Sequence, residues 1–112
     1  MLEDTLKHID DAIRKIKSFK AQAKDKAELV ALLASLKDEV ARLSETHGEQ
    51  ARSIAGFADV AAHEATRRER SEDLLDHSLE GLSLSAKEIE TSHPEIVEII
   101  DQVSTMLSRI GI

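Results

Sequence analysis

Apolar residues recur at steps of three and four along nearly the whole chain, and this spacing predicts an all-α protein. The first series is Leu2, Leu6, Ile9, Ile13 and Ile16, which predicts a helix over about residues 2–22. A second series begins at Leu29 and keeps its phase to Arg68, although it becomes polar around Thr46 and His47. Gly48 follows that polar stretch, and a glycine inside a helix costs about 1 kcal/mol relative to alanine, which permits a break without forcing one. We therefore predict one long central helix over about residues 26–70, which would measure roughly 65 Å.

The C-terminal part predicts two further helices. After the polar run from Arg67 to Asp73, apolar residues restart in a shifted phase and indicate a helix over about residues 72–91. Pro94 is suited to the first turn of a helix and disfavours a helical conformation at His93, so the last helix should cover about residues 94–110. The expected architecture is an elongated antiparallel bundle of coiled-coil-like hairpins, with three to four helices in a single domain over residues 1–112.

Capping signals mark the predicted helix ends. Asp25 with Glu28, and Ser92 with Glu95, have the spacing of a capping box, and Pro94 supports the second of these starts. At the C-terminus, Gly111 suits a left-handed residue after a C-cap at Ile110, which would fold Ile112 over Leu107. The alternative is that Ile112 and its carboxylate form a free C-terminal ligand for another protein.

A stripe of small residues distinguishes the second half of the predicted central helix. Small side chains let helix axes approach closely, so this face is predicted to pack against two neighbours and to be the interaction face. Its members are Ala51, Ile54, Ala55, Phe57, Ala58, Ala61, Ala62 and Ala65.

Composition and charge narrow the possible functions. The net charge of −7 argues against nucleic-acid binding, because that binding depends on Lys and Arg at phosphates. Residues 1–26 carry seven bases and five acids, whereas residues 71–112 carry two bases and nine acids, so these segments could attract each other within one chain or across a dimer. There is no cysteine, no signal-peptide pattern and no apolar stretch of membrane-spanning length, which predicts a cytoplasmic protein without membrane contact.

The segment from Leu79 to Ile112 resembles the C-terminus of a family of small bacterial helical proteins. The resemblance lies in a Leu-rich helix, an acidic residue before His93-Pro94, and the ending Met106-Leu107-Ser108-Arg109-Ile110-Gly111-Ile112. Members of that family end in a helix closed by Leu-Ser-x-Ile/Leu-Gly-Ile, and the family is classed as a domain of unknown function. The resemblance implies a bacterial cytosolic helical protein with no assigned activity, and it supplies no catalytic residues.

Few residues of the sequence are arranged like catalytic or metal-binding groups. Glu90 and His93 form the one Glu-x-x-His motif, and Asp73 with His77 forms a second acid–histidine cluster, whereas helical di-metal proteins need two such motifs plus two further glutamates. The sequence therefore predicts no catalytic residues, no metal and no cofactor.

The predicted function is a non-enzymatic helical module for self-association, with a homodimer favoured, or for binding another protein. The alternatives are a metal-binding bundle protein built on these four residues and an adaptor that presents Ile112.

Overall fold

A computed structural model describes residues 2–111, which form five α-helices and no strand. The helices are α1 (Leu2–Ser18), α2 (Ala23–Leu43), α3 (Gly48–Thr66), α4 (Glu72–Lys87) and α5 (Pro94–Arg109). The all-α prediction is confirmed, whereas the count of three to four helices is wrong. The first helix ends at Ser18 rather than near residue 22, and α4 ends at Lys87 rather than near residue 91.

The predicted long central helix is two helices, α2 and α3, joined by a tight turn. The chain leaves α2 at Ser44 and enters α3 after His47, and the backbone N–H of His47 donates to the carbonyl of Leu43 at 2.7 Å. Gly48 is thus the first residue of a helix rather than an interior residue. The reversal lets the apolar faces on either side of the turn pack together. As a result the protein measures 37 × 23 × 22 Å, so the expected 65 Å helix is also wrong.

The five helices form two layers, with α3 in the centre of the larger one. Helix α3 contacts all four other helices, whereas α1 and α4 do not contact each other. Helix α1 bonds to Asp59 of α3, and α4 approaches Phe57 of α3 through Gly81. Positions 57 and 59 are separated by roughly 200° around a helix, so α1 and α4 lie on opposite sides of α3. Helices α2 and α5 contact each other and form the second layer behind this three-helix layer.

The core lies between the two layers and draws on every helix. The fully buried large side chains include Ile9, Leu33, Ile54, Leu82 and Ile100, one from each helix. Helix α3 contributes mainly alanines, which lets four helices approach one axis closely. This explains why the most alanine-rich helix occupies the centre.

The two predicted capping boxes lie at or beside the helix starts, but their residues do not have the predicted roles. The N-cap of α2 is Gln22, so Asp25 lies inside the first turn and Glu28 lies on the exposed surface of the helix. An acidic side chain in the first turn still complements the helix dipole there. The capping box with Asp25 at the N-cap does not form, because the N-cap lies three residues earlier.

The N-cap of α5 is shifted in the opposite direction, although the helix itself begins at Pro94 as predicted. Pro94 occupies the first turn as predicted, but the N-cap is His93 rather than Ser92. The hydroxyl of Ser92 donates to the carbonyl of Ile89, and Glu95 lies 3.6 Å from Nδ1 of His93. The reason is that Pro94 fixes its own φ in the helical range, which places the helix boundary directly before it.

The end of α5 follows the predicted geometry over the described residues. Ile110 is the C-cap and Gly111 has a φ of +79°, the left-handed conformation that favours glycine. The predicted contact of Ile112 with Leu107 lies outside residues 2–111. Arg70 adds a clamp that the sequence did not indicate, since its guanidinium donates to the carbonyls of Ser108 at 2.6 Å and Ile110 at 2.8 Å.

Candidate association surface

The predicted interaction face lies almost entirely inside the protein. Seven of its eight residues are at most 1 % exposed: Ala51, Ile54, Ala55, Ala58, Ala61, Ala62 and Ala65. They pack against the other helices of the same chain rather than being available to a second chain. Phe57 is the exception, with 39 % of its surface exposed. The small residues therefore serve the packing of α3 within its own bundle, and the surface that could meet a partner must be sought elsewhere on the helix.

The opposite side of α3 is uncovered. Ser53, Gly56, Phe57 and Val60 follow steps of three, one and three along the helix, which places them on one face that we call the α3 strip. Val60 is 48 % exposed, and a β-carbon added at Gly56 would meet no atom within 4 Å. Because α1 and α4 do not touch, neither of them closes over this face. The α3 strip is thus an apolar, low-relief surface in the middle of the three-helix layer.

The border with α4 extends the apolar surface. The ring of Phe57 lies directly over Gly81 of α4, so close that a β-carbon at Gly81 would fall 2.3 Å from the ring. One turn further along α4, Leu84 is 55 % exposed, the highest value among the exposed large hydrophobic residues of the described part of the chain. Gly81 therefore leaves room for the Phe57 ring at the junction of α3 and α4, and Leu84 follows Gly81 one turn along the same helix.

The border with α1 is polar and held by one carboxylate. Asp59 of α3 accepts hydrogen bonds from Nζ of Lys15 at 2.5 Å and from Nδ1 of His8 at 3.0 Å. Burial raises the pKa of the Asp59 carboxyl, but the hydrogen bonds and charges of Lys15 and His8 outweigh that effect and hold the pKa below its ordinary value. This cluster ties α1 to α3. Two of its members, His8 and Asp59, line a shallow, open depression of about 300 Å³ together with the α3 strip.

The residues considered for metal binding are not brought together. Asp73 and His77 lie in the first half of α4, whereas Glu90 and His93 lie beyond its other end. The ring of His93 instead meets that of His47 edge-on, with centroids 5.6 Å apart. Within residues 2–111 there is no group of three or more His, Cys, Asp or Glu side chains placed to hold a metal ion. The metal-binding alternative therefore has no assembled site in this part of the chain.

The α3 strip is the feature that reasoning from the sequence overlooked. Its signal was present, because Ser53, Gly56 and Val60 fall at helical spacing on the side opposite the alanines. Only Val60 among these three residues has a branched apolar side chain, so the apolar pattern was weaker than that of the alanine stripe.

Among the residues described, no helix combines the length and apolar content needed to cross a bilayer.

Comparison with known proteins adds a family but no activity. No curated protein and no solved structure matches the chain. The sequence model of one family, described as "Domain of unknown function (DUF4404)", matches residues 29–112 and so covers α2 from its second turn, together with α3, α4 and α5. Because the match spans more than half of the chain, this helical protein belongs to the DUF4404 family.

Proposed function

We propose that the protein is a non-enzymatic self-association module in which two copies meet through the α3 strip. The observation that carries the proposal is the incomplete cover of α3. Four helices surround its inner side, while Phe57 and Val60 remain 39 % and 48 % exposed at the middle of its outer side. Exposed apolar residues that adjoin one another on a protein surface are typical of interaction sites.

The α3 strip is low enough in its middle for a helix of another molecule to pack against it. Gly56 carries no side chain and Ser53 a short one, so another helix axis could approach α3 closely at this point. Phe57 and Leu84 would then flank that helix on the α4 side. A large aromatic residue beside small residues resembles the anchor arrangement of many protein interfaces.

Self-association is chosen because the α3 strip is itself an exposed helix face. A surface that lies on a twofold axis meets the same surface of the second copy, so each copy offers the helix that the other one lacks. Homodimers are also the commonest oligomers of soluble proteins. The proposal thus needs no partner beyond the chain itself.

Molar mass as a function of concentration tests the proposal. Light scattering with refractive-index detection suits a chain without Trp or Tyr, and we expect the mass to approach twice 12.4 kDa at high micromolar concentration. Val60→Asp should return the mass to 12.4 kDa, because a buried unpaired carboxylate would oppose the contact.

The matched control is Leu2→Asp, which places the same charge on an exposed apolar position at the far end of α1. It should associate like the wild type. Far-ultraviolet circular dichroism at low concentration checks that both variants remain folded. A wild-type chain that stays monomeric throughout, or a Val60→Asp variant that keeps the dimer mass, would overturn the proposal.

A further inference from the structure

The outer side of α3 carries one continuous series of residues in steps of four and three. Its six members are Glu49, Ser53, Gly56, Val60, His63 and Arg67. Four of them are exposed, and Gly56 and Arg67 are partly exposed. Alternating steps of four and three place residues along one side of a helix and are typical of the contact line of a coiled coil. We call this series the α3 seam, and it extends the α3 strip from the first turn of α3 to the C-cap.

The six positions of the α3 seam lie symmetrically about Ala58, in the middle of the helix. The symmetric pairs are Gly56 with Val60, Ser53 with His63, and Glu49 with Arg67. If two copies pack with α3 antiparallel, about a twofold axis that crosses the helix at this level, each member of the seam meets the other member of its pair. If the two helices are parallel, each residue meets the same residue of the second copy. The two orientations therefore bring different side chains together.

The sizes of the two central residues favour the antiparallel orientation. Val60 projects from the surface with 48 % exposure, whereas a β-carbon added at Gly56 would meet no atom within 4 Å. In the antiparallel orientation, Val60 of each copy enters the open space over Gly56 of the other. In the parallel orientation, valine meets valine and glycine faces glycine across a gap. Such a gap forfeits van der Waals contacts, so the seam fits a second copy of itself best when the copies are antiparallel.

The charges at the two ends of the α3 seam agree with this orientation. Glu49 is exposed in the first turn of α3 and makes no ion pair among residues 2–111. At the other end, Arg67 donates to Glu64 at 2.8 Å, and 33 % of its side chain stays exposed. A guanidinium has five N–H donors and can bond to a second carboxylate. Antiparallel helices place Glu49 beside Arg67 of the other copy, whereas parallel helices oppose like charges at both ends.

Resting on the proposed function, we infer that the two copies pack with their α3 helices antiparallel, about a twofold axis that crosses α3 at the level of Ala58. Val60 of each copy fills the space over Gly56 of the other, and Phe57 flanks this contact on the α4 side. Glu49 of each copy meets Arg67 of the other at the two ends. The partner that fits the α3 seam is thus a second copy of this chain, because the seam is complementary to itself.

Cysteine cross-linking tests which residues meet, since the chain has no cysteine of its own. Ser53→Cys and His63→Cys each replace an exposed residue. In the antiparallel dimer, positions 53 and 63 of different copies lie at the same level. The two copies of position 53 are roughly 15 Å apart along the helices, beyond the separation of about 7 Å between α-carbons that a disulfide spans. Under a mild oxidant, an equimolar mixture of the two variants should therefore form a disulfide-linked heterodimer, whereas each variant alone should not cross-link.

The matched control replaces His63→Cys by Leu2→Cys, a cysteine at an exposed position at the far end of α1. Mixed with Ser53→Cys it should give no cross-linked product, which accounts for random collisions. Mass spectrometry without reductant distinguishes heterodimers from homodimers. Circular dichroism checks that each variant keeps its helices.

An exchange of side-chain size tests the central contact independently. Gly56→Val should raise the dissociation constant about tenfold or more, because the added side chain occupies the space that Val60 of the other copy needs. Combining Gly56→Val with Val60→Gly exchanges the two sizes and should restore association towards the wild-type value. In the parallel orientation, Gly56→Val would instead fill the gap between the two glycines and tighten association.

The outcomes separate this inference from the proposal beneath it. Cross-linking of Ser53→Cys with itself, or tighter association of Gly56→Val, would overturn the antiparallel pairing while self-association through the α3 strip stands. A dimer in which the mixed cysteine variants fail to cross-link would overturn the pairing as well. If Val60→Asp left the dimer intact, or if the wild-type chain stayed monomeric because another protein covers the α3 strip, the proposed function itself would fail.

Discussion

The inner and outer faces of α3 use similar residues for opposite purposes. On the inner face Ala55 and Ala58 are buried among neighbouring helices, whereas on the outer face Ser53 is exposed and Gly56 is partly exposed with open space beside it. Both faces are built from small side chains that allow close approach of another helix. The difference is that the inner face already has its helices within the chain. Small residues on a helix thus indicate close packing, but they do not tell whether the packing partner belongs to the same chain.

The largest difference between the two faces should appear when a large apolar side chain is shortened. Ile54→Ala on the inner face should lower the free energy of unfolding by about 2–5 kcal/mol, because it leaves a cavity in a fully buried site. Val60→Ala on the outer face, its matched control, should change it by about 0.5 kcal/mol or less. Urea unfolding followed by circular dichroism at low protein concentration measures both. Equal losses would contradict the assignment of the two faces.

Enlarging a side chain gives the next largest contrast. Ala58→Leu on the inner face should cost about 1–3 kcal/mol, because the packed helices around α3 leave no room for the added atoms. Val60→Leu adds volume on the outer face and should leave the stability of the isolated chain nearly unchanged. Thermal unfolding of dilute samples compares the two, and a destabilised Val60→Leu variant would show that the outer face is less open than described.

Asp59 lies at the boundary between the faces, and its removal should loosen α1 from α3. Asp59→Asn should reduce the free energy of unfolding at neutral pH by about 1–2 kcal/mol, since it weakens hydrogen bonds to Lys15 and His8. The folded state lowers the pKa of Asp59, so this contribution is fully present above about pH 4, the ordinary pKa of an aspartate. It should be lost as the pH falls through the lowered pKa of the folded state.

The measurement is the difference in unfolding free energy between wild type and Asp59→Asn as a function of pH. Asp10→Asn is the control, because Asp10 pairs with Lys37 on the exposed surface and should contribute little at any pH. A difference that stays constant down to the lowest accessible pH would show that the carboxylate charge is not what holds α1 to α3.

The smallest effect concerns the glycines. Gly56→Ala should stabilise the dilute monomer by about 1 kcal/mol, because alanine favours the helix and the new β-carbon meets nothing within 4 Å. Gly81→Ala should gain less than this, since its β-carbon would displace the Phe57 ring. Repeating Gly81→Ala in a Phe57→Ala background should restore the gain. An equal gain at both glycines in the native background would contradict the close contact between Phe57 and Gly81.

Much of the fold could be predicted because helical spacing is a local property. The all-α class, the start of the last helix at Pro94 and the left-handed Gly111 follow from residues close together in the chain. The break between α2 and α3 could not be predicted in the same way. The helical series keeps its phase through Thr46 and His47, so the spacing is compatible with a straight helix as well as with a tight reversal, and the polar stretch before Gly48 permits the reversal without requiring it.

The location of the candidate surface could not be predicted from helical spacing either. The alanine stripe was a correct indication of close packing around α3, but Ala51 and its neighbours turned out to be surrounded by their own chain. The alternation of three and four identifies which residues share a face, and it contains no information on which face is covered by which helix. The residues considered for metal binding illustrate the same point, since spacing alone did not reveal that His77 and His93 are separated by most of α4.

The sequence by itself determined the kind of secondary structure, most helix ends to within a few residues and the uneven distribution of charge along the chain. These properties depend on contacts between residues a few positions apart, which spacing and composition reveal directly. Only the tertiary structure decided that α3 is central, that α1 and α4 stand on opposite sides of it, and that Gly56 and Val60 are left uncovered between them. These relations arise from how the five helices share their apolar faces, because a helix buries whichever side its neighbours can reach.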